Sequence, residues 1–144
     1  MLHHNARIHD RFVELGVDDF IWRENGVLDW EMATVGPAEV DLAWMIFLHA
    51  FFQSIADVFG LPGVPGFMRR DEVAATYTEL TGHPVEHLDW YEAYAALRFA
   101  SISIRTSLRG VHYGLAEMPA DPDSVIMHRA LIEQMLDGTY WNDR

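Results

Sequence analysis

Apolar residues recur every three or four positions over most of the chain, which is the spacing of one face of an α-helix. Proline fits the first turn of a helix, so the first helix is expected to begin at Gly36-Pro37. A loop rich in glycine and proline, residues 60–66, ends it. The apolar face of this helix carries Leu42, Met45, Ile46, His49, Phe52, Ala56 and Phe59.

Three further helices are expected, over residues 71–81, 89–110 and 121–138. Gly82 follows the second helix, and glycine commonly ends a helix in the left-handed conformation. Asp89 and Glu92 have the spacing of a capping box, in which two side chains satisfy the first backbone N–H groups of a helix. Asp121-Pro122 is a typical start for the fourth helix.

The segment before the first helix predicts a small β-hairpin. Residues 20–23 and 27–30 are short apolar runs, and Asn25-Gly26 lies between them. Asparagine and glycine both tolerate positive φ, which a tight hairpin turn requires. We therefore expect a hairpin over residues 20–30, with Asp29 at the end of its second strand. The predicted fold is mainly α with this small hairpin, in a single domain.

The composition excludes several classes of mechanism. A chain of 144 residues, half of them apolar, has the length of one domain and can bury a core. It contains no cysteine, which excludes disulfides, thiolate metal sites and cysteine nucleophiles. All ten basic residues are arginine. The chain therefore lacks the lysine that grips nucleotide phosphates in kinase-like and P-loop enzymes.

The net charge of −12 argues against a nucleic-acid partner and against an anionic membrane surface. The first residues show no basic stretch followed by an apolar one, so no secretory signal is predicted and the cytoplasm is the expected location. The most apolar run, residues 42–59, is interrupted by polar side chains. It is typical of a buried helix rather than of a membrane span.

Candidate chemistry is concentrated around Asp29. A carboxylate at the end of a strand projects into a cleft, which is a common way to hold the Mg²⁺ that bridges nucleotide phosphates. Glu31 is close enough along the chain to share that role. The alternatives are that Asp29 only caps a turn and that Glu31 is a solvated or loop-bracing carboxylate.

The run Asp29-Trp30-Glu31, followed by Gly36-Pro37 and Asp41-Leu42-Ala43, resembles the aminoglycoside phosphotransferase family, which has a protein-kinase-like fold. It is most similar to the branch related to acyl-CoA-dehydrogenase-associated phosphotransferases. The resemblance implies that Asp29 binds Mg²⁺ and that Asp41 braces the catalytic loop from a helix. It also implies ATP as the phosphoryl donor and a small-molecule hydroxyl group as the acceptor.

The catalytic loop of that family reads His-Gly-Asp, then four residues, then Asn. In the closest register here, His3 matches the histidine and His4 replaces the glycine. Asn5 occupies the position of the catalytic Asp, and Asp10 occupies the position of the Mg²⁺-binding Asn. An amide such as Asn5 cannot accept the proton, so general-base assistance is lost. A carboxylate such as Asp10 remains a suitable Mg²⁺ ligand.

The resemblance therefore covers the C-terminal lobe of such a fold, with the N-terminal lobe absent. Residues 1–35 would hold the degenerate catalytic loop, the hairpin and the metal-binding segment, and residues 36–144 the helical subdomain. We expect this chain to be a truncated form that is inactive alone. The alternative is a non-catalytic helical module, derived from that family, that binds a partner or associates with itself.

Several other polar and aromatic side chains also suggest a role. His49, on the apolar face of the first helix, is expected to be a core histidine with a satisfied hydrogen bond. Arg98 and Arg105 lie near one face of the third helix and would bind an anionic group or, more simply, pair with carboxylates. The aromatic side chains of the first and third helices are expected to be mostly core. Any that are exposed would favour self-association.

Overall fold

The computed structural model describes residues 35–142, and this part of the chain is all-α, with no strand. The residues from Gly36 onward belong to one compact unit. The β-hairpin predicted over residues 20–30 lies outside the described residues. The four helices are α1 Glu39–Val58, α2 Arg70–Thr81, α3 Leu88–His112 and α4 Arg129–Asp137, and two short 3-10 helices cover Pro122–Val125 and Thr139–Trp141.

The main core lies between α1 and α3, which form the largest helix–helix interface of this unit. Phe47 and Phe51 of α1 are buried against Ala95 and Ala96 of α3. Small alanine side chains leave room for the phenylalanine rings, and Phe99 meets both rings edge to face. Leu131 of α4 and Tyr140, in the last 3-10 helix, close this core.

A second, smaller cluster holds α2. Its buried members come from the start of α1 and of α3, and partly buried side chains of α2 pack on them. No residue of α2 is itself buried. This helix therefore contributes little apolar surface to the core, and its position depends on other contacts. The buried members are Leu42, Ala43, Ile46 and Leu88.

The glycines expected to stop two helices do so. Gly82 follows α2 with φ at 75°, and Gly138 follows α4 with φ at 87°. Both values lie in the left-handed region that favours glycine. The first helix begins at Glu39, two residues after Pro37. Thus the helix ends predicted from Pro37, Gly82 and Gly138 agree with the structure to within two residues.

The capping box predicted for the third helix is wrong. His87 precedes α3 as its N-cap, with φ at 55° and no capping hydrogen bond from its side chain. Asp89 lies in the first turn instead of before it. Glu92 is fully buried and its carboxylate binds Arg70 and Tyr140. A carboxylate with buried partners of this kind is not available to cap the backbone.

The fourth predicted helix is divided into two elements. Asp121 accepts a hydrogen bond from the backbone N–H of Asp123 at 3.1 Å and caps the 3-10 helix Pro122–Val125. The α-helix begins only at Arg129. Between the two, His128 enters the aromatic core, and its burial sets the direction of the chain at this point.

Fewer of the aromatic side chains are buried than the sequence predicted. Phe47 and Phe51 are buried, as expected. Phe52, Phe59 and Trp90 are exposed by 61%, 73% and 60%, and Tyr94 by 40%, so the prediction that they belong to the core is wrong for these four.

His128 is 2% exposed, and its ring contacts the rings of Phe47, Phe51 and Phe99. Its Nε2 donates a hydrogen bond to the Ala96 carbonyl oxygen at 2.9 Å. The other nitrogen, Nδ1, is buried without a hydrogen-bond partner. Desolvation lowers the pKa of His128, and the bond to the carbonyl only partly opposes this.

We therefore expect folding stability to fall as the pH drops below about 6.5, the ordinary pKa of histidine. The pKa of His128 is lower in the folded chain, so between the two values the unfolded chain binds a proton that the folded chain does not. The contribution is complete above the unfolded pKa and is lost as the pH falls through the folded one.

Urea unfolding between pH 8 and pH 5 measures this dependence. His128→Gln should flatten the curve, whereas His83→Gln, at an exposed histidine, should leave it unchanged. One group changes stability by at most about 1.4 kcal/mol per pH unit. Equal pH dependence in wild type and His128→Gln would contradict the assignment.

Candidate functional site

The residues predicted to perform chemistry lie mostly before the described part of the chain. Their geometry is therefore not described, and their roles stay predictions. These residues are Asn5, Asp10, Asp29 and Glu31. Within residues 35–142, no group of three or more His, Asp or Glu side chains is placed to hold a metal ion. The same residues include no helix that is long and apolar enough to cross a membrane.

Asp41 is the one predicted site residue that the structure describes. It lies in the first turn of α1 and its side chain is exposed. The two residues that follow, Leu42 and Ala43, are 7% and 0% exposed. They fix the turn against the second cluster, while a carboxylate at this end of a helix is favoured by the helix dipole.

A buried ion pair connects three elements around Glu92 of α3. The Nε of Arg70, at the start of α2, lies 2.6 Å from Glu92 Oε1. The hydroxyl of Tyr140 donates to Glu92 Oε2 at 3.0 Å. The Arg70 guanidinium also lies over the Trp141 ring, 4.7 Å from its centroid. These contacts join α2, α3 and the last 3-10 helix around one carboxylate.

The sequence carried a signal for this pair that the capping interpretation missed. Glu92 stands four residues after Leu88 and three or four before Ala95 and Ala96. All three of these neighbours are buried, so Glu92 lies on the apolar face of α3. A carboxylate on such a face needs a buried partner, because an unpaired buried charge is strongly unfavourable.

A small cleft lies between α1 and the loop that leads into α2, and because two arginines line it we name it the polar cleft. Its volume is about 190 Å³. His49 Nε2 donates to the Val64 carbonyl oxygen at 3.1 Å, and Gln53 Oε1 accepts from the Val64 N–H at 2.8 Å. The expected hydrogen bond of His49 is thus present, although the residue lines a cleft and is only half-buried. The polar cleft is lined by Ile46, His49, Ala50, Gln53, Pro65, Phe67, Met68, Arg69 and Arg70.

A second cleft, largely apolar, lies between α1 and α2 and has a volume of about 330 Å³. Met68 and Arg69 line both clefts and form the wall that they share. Met68 has φ at 55°, in the left-handed region that methionine rarely adopts. The apolar cleft is lined by Leu42, Met45, Met68, Arg69, Glu72, Val73, Thr76, Tyr77 and Leu80.

Within residues 35–142, Arg98 and Arg105 do not form the ion pairs with carboxylates that were expected. Arg98 lies over the rings of Trp44 and Tyr94, at 4.9 and 5.7 Å, in two cation–π contacts. Arg105 lines a separate groove with Arg109 and makes no ion pair with a described residue. Binding of an anionic group at Arg98 and Arg105 stays a prediction.

No protein-family model matches this chain. The segment around Asp29 carries the chemical prediction, and the helical unit supplies the geometry of Asp41 and of the two clefts.

The ion pair of Arg70 and Glu92 generates a stability prediction. Arg70→Met should lower the free energy of unfolding by about 3 kcal/mol, because it removes the cation from a fully buried carboxylate. This value is at the lower end for a buried pair, since the Arg70 side chain is 21% exposed. Adding Glu92→Gln to this variant should recover part of the loss. Urea unfolding measures each change.

Arg129→Met is the matched control. Arg129 also contacts carboxylates, those of Asp121, Asp123 and Glu133, but its side chain is 46% exposed. Exposed pairs contribute about 0–1 kcal/mol. A loss at Arg70 no larger than the loss at Arg129 would show that the buried pair does not hold α2 in place.

Proposed function

We propose that this chain is the helical, C-terminal part of a phosphotransferase related to the aminoglycoside phosphotransferase family. The complete form of such a protein transfers the γ-phosphoryl group of ATP to a hydroxyl group of a small molecule. The observation that carries the proposal is the placement of Asp41, Leu42 and Ala43 at the start of α1.

The three residues have different environments, and the difference supports the proposed role of Asp41. Ala43 is fully buried and Leu42 nearly so, which anchors the first turn of α1. Asp41 itself is exposed, and its carboxylate oxygens face no described partner. The oxygens of an ionised carboxylate are hydrogen-bond acceptors, so Asp41 is chemically suited to accept backbone N–H groups. This is the role that the resemblance implies for Asp41 towards the catalytic loop.

The proposed metal ligands Asp29, Glu31 and Asp10 are all carboxylates, and hard oxygen donors of this kind fit Mg²⁺. When bound, Mg²⁺ neutralises charge on the nucleotide phosphates. Asp29 would hold the ion, and Asp41 would keep the loop that carries Asn5 and Asp10 in position.

The same sequence argues that this chain does not catalyse transfer by itself. Asn5 stands where the proton-accepting Asp is expected, and an amide cannot take the proton of the attacking hydroxyl. No lysine is present to grip the phosphates. We therefore propose that this chain does not transfer phosphate by itself.

A non-catalytic binding module is the second candidate function, and one observation favours it. Several large apolar side chains are exposed on the helical unit, by 73% at Phe59, 60% at Trp90 and 83% at Leu136. Exposed apolar side chains that adjoin one another are typical of surfaces that associate with other chains. Such a module would bind either a different partner or a second copy of this chain.

Thermal unfolding of the full chain with and without Mg²⁺–ATP tests the phosphotransferase proposal. A ligand that binds only the folded state stabilises it by mass action, by about 1.4 kcal/mol at ten times its dissociation constant. We expect a midpoint rise of several degrees that requires Mg²⁺ and is lost in Asp29→Ala.

Asp89→Ala, at an exposed aspartate of α3, is the matched control and should retain the full shift. A midpoint that Mg²⁺–ATP leaves unchanged in wild type would contradict the metal-binding role of Asp29. Transfer of phosphate from ATP by the wild-type chain, above the rate of Asp29→Ala, would instead contradict the proposed lack of turnover.

The binding-module alternative makes a separate prediction. If the exposed aromatic surface mediates association, the molar mass from light scattering should increase with protein concentration. Phe59→Ser should shift this increase to concentrations at least tenfold higher, because it removes a largely exposed ring. His83→Ser, at an exposed loop residue, should have no effect. A constant monomer mass would exclude self-association through this surface.

A further inference from the structure

We propose that the polar cleft and the apolar cleft form one two-part binding site for a small amphiphile. The anionic head group, a carboxylate or a phosphate, would bind in the polar cleft, and an aliphatic tail of medium length would lie in the apolar cleft. The shared wall of Met68 and Arg69 makes the two clefts neighbours. This site is independent of the proposed phosphotransfer.

The head-group position is defined by uncommitted donors of two arginines. Arg70 lines the polar cleft, and its Nη2 is buried without a hydrogen-bond partner. A buried donor without a partner is costly, so an oxygen atom supplied by a ligand would be stabilised there. The planar guanidinium fork suits the oxygens of carboxylate and phosphate groups.

Both arginines of this position already face carboxylates, and they differ in how firmly they are held. Glu92 already binds the Nε of Arg70. Arg69 makes only long contacts with carboxylates, 3.5 Å to Asp71 and 3.8 Å to Glu72, and all three side chains are largely exposed. Exposed pairs of this type are weak, so the anionic head group competes with them for Arg69.

The loop that forms one wall of the polar cleft is held in place by contacts within the protein. His49 and Gln53 both bind the backbone of Val64, and the ring of Phe67 packs edge to face on His49. These contacts fix the loop against α1. A preformed cleft binds with less ordering of side chains, which favours affinity.

The tail position is defined by aliphatic and aromatic side chains of α1 and α2. Met45 and Leu80 are partly exposed along the apolar cleft, and Val73 and Tyr77 lie between them on its α2 side. Flexible methionine side chains adapt to aliphatic chains of different shape. Glu72 is the one carboxylate of the lining, and it faces Arg69 rather than the tail.

Binding of three probes to the full chain, followed by calorimetry, tests the site. We expect octanoate and octyl phosphate to bind at least tenfold more tightly than octanol, since only they carry an anionic head group. Affinity should increase about fourfold for each methylene from butanoate to octanoate, the increment of burying one such group. The tighter of octanoate and octyl phosphate identifies the head group as carboxylate or phosphate.

Two variants separate the two parts of the site. Arg69→Gln should weaken octanoate at least fivefold and leave octanol unchanged. Leu80→Glu should weaken both, because it places a charge beside the tail. The matched controls are Arg129→Gln and Leu108→Glu, whose side chains have similar exposure and line neither cleft. Circular dichroism verifies that each variant is folded.

Equal affinity for octanoate and octanol would overturn the head-group assignment. An affinity that does not depend on chain length would overturn the tail assignment, and so would equal effects of the site variants and their controls. Since no nucleotide is present in these titrations, their failure would leave the response to Mg²⁺–ATP untouched. The two proposals are thus tested separately.

Discussion

The packing of α1 on α3 is the contact on which the rest of the helical unit depends. Ala95 and Ala96 of α3 present small side chains, and the rings of Phe47 and Phe51 occupy the space that they leave. Interiors are packed as densely as organic crystals, so a larger side chain at either alanine would force the helices apart. The closeness of these two helices also places His128 among aromatic rings and lowers its pKa by desolvation.

Glu92 is a charged residue buried beside that apolar packing. It lies on the same face of α3 as the two alanines, and its burial is acceptable because Arg70 and Tyr140 bind its carboxylate. The ion pair of Arg70 and Glu92 matters more for the position of α2 than for that of the other helices, since α2 has no buried residue of its own. Arg70 is held at the start of α2 by Glu92, and the same residue lines the polar cleft. A contact that stabilises the fold therefore also shapes the surface proposed to bind a ligand.

The functional proposals depend on different parts of the chain. Phosphotransfer rests on residues around Asp29 and on the exposed carboxylate of Asp41, whereas the two clefts are formed by α1, α2 and the loop between them. The exposed rings of Phe59 and Trp90 belong to neither. The proposals thus use separate parts of the chain, and each is tested by a different perturbation: a divalent cation with nucleotide, an anionic amphiphile, or protein concentration.

The sequence by itself determined the helical character of residues 35–142 and the ends of helices that glycine fixes, because Gly82 and Gly138 act through local backbone freedom. It also placed Asp41 in the first turn of α1. Only the tertiary structure decided the roles of Glu92 and His128, since both depend on partners distant in the chain: Arg70 and Tyr140 for the carboxylate, and Ala96 for the imidazole. The spacing of residues along one helix shows which of them share a face. It does not show which residues of other helices contact that face, and those contacts decide which side chains are buried and which are paired.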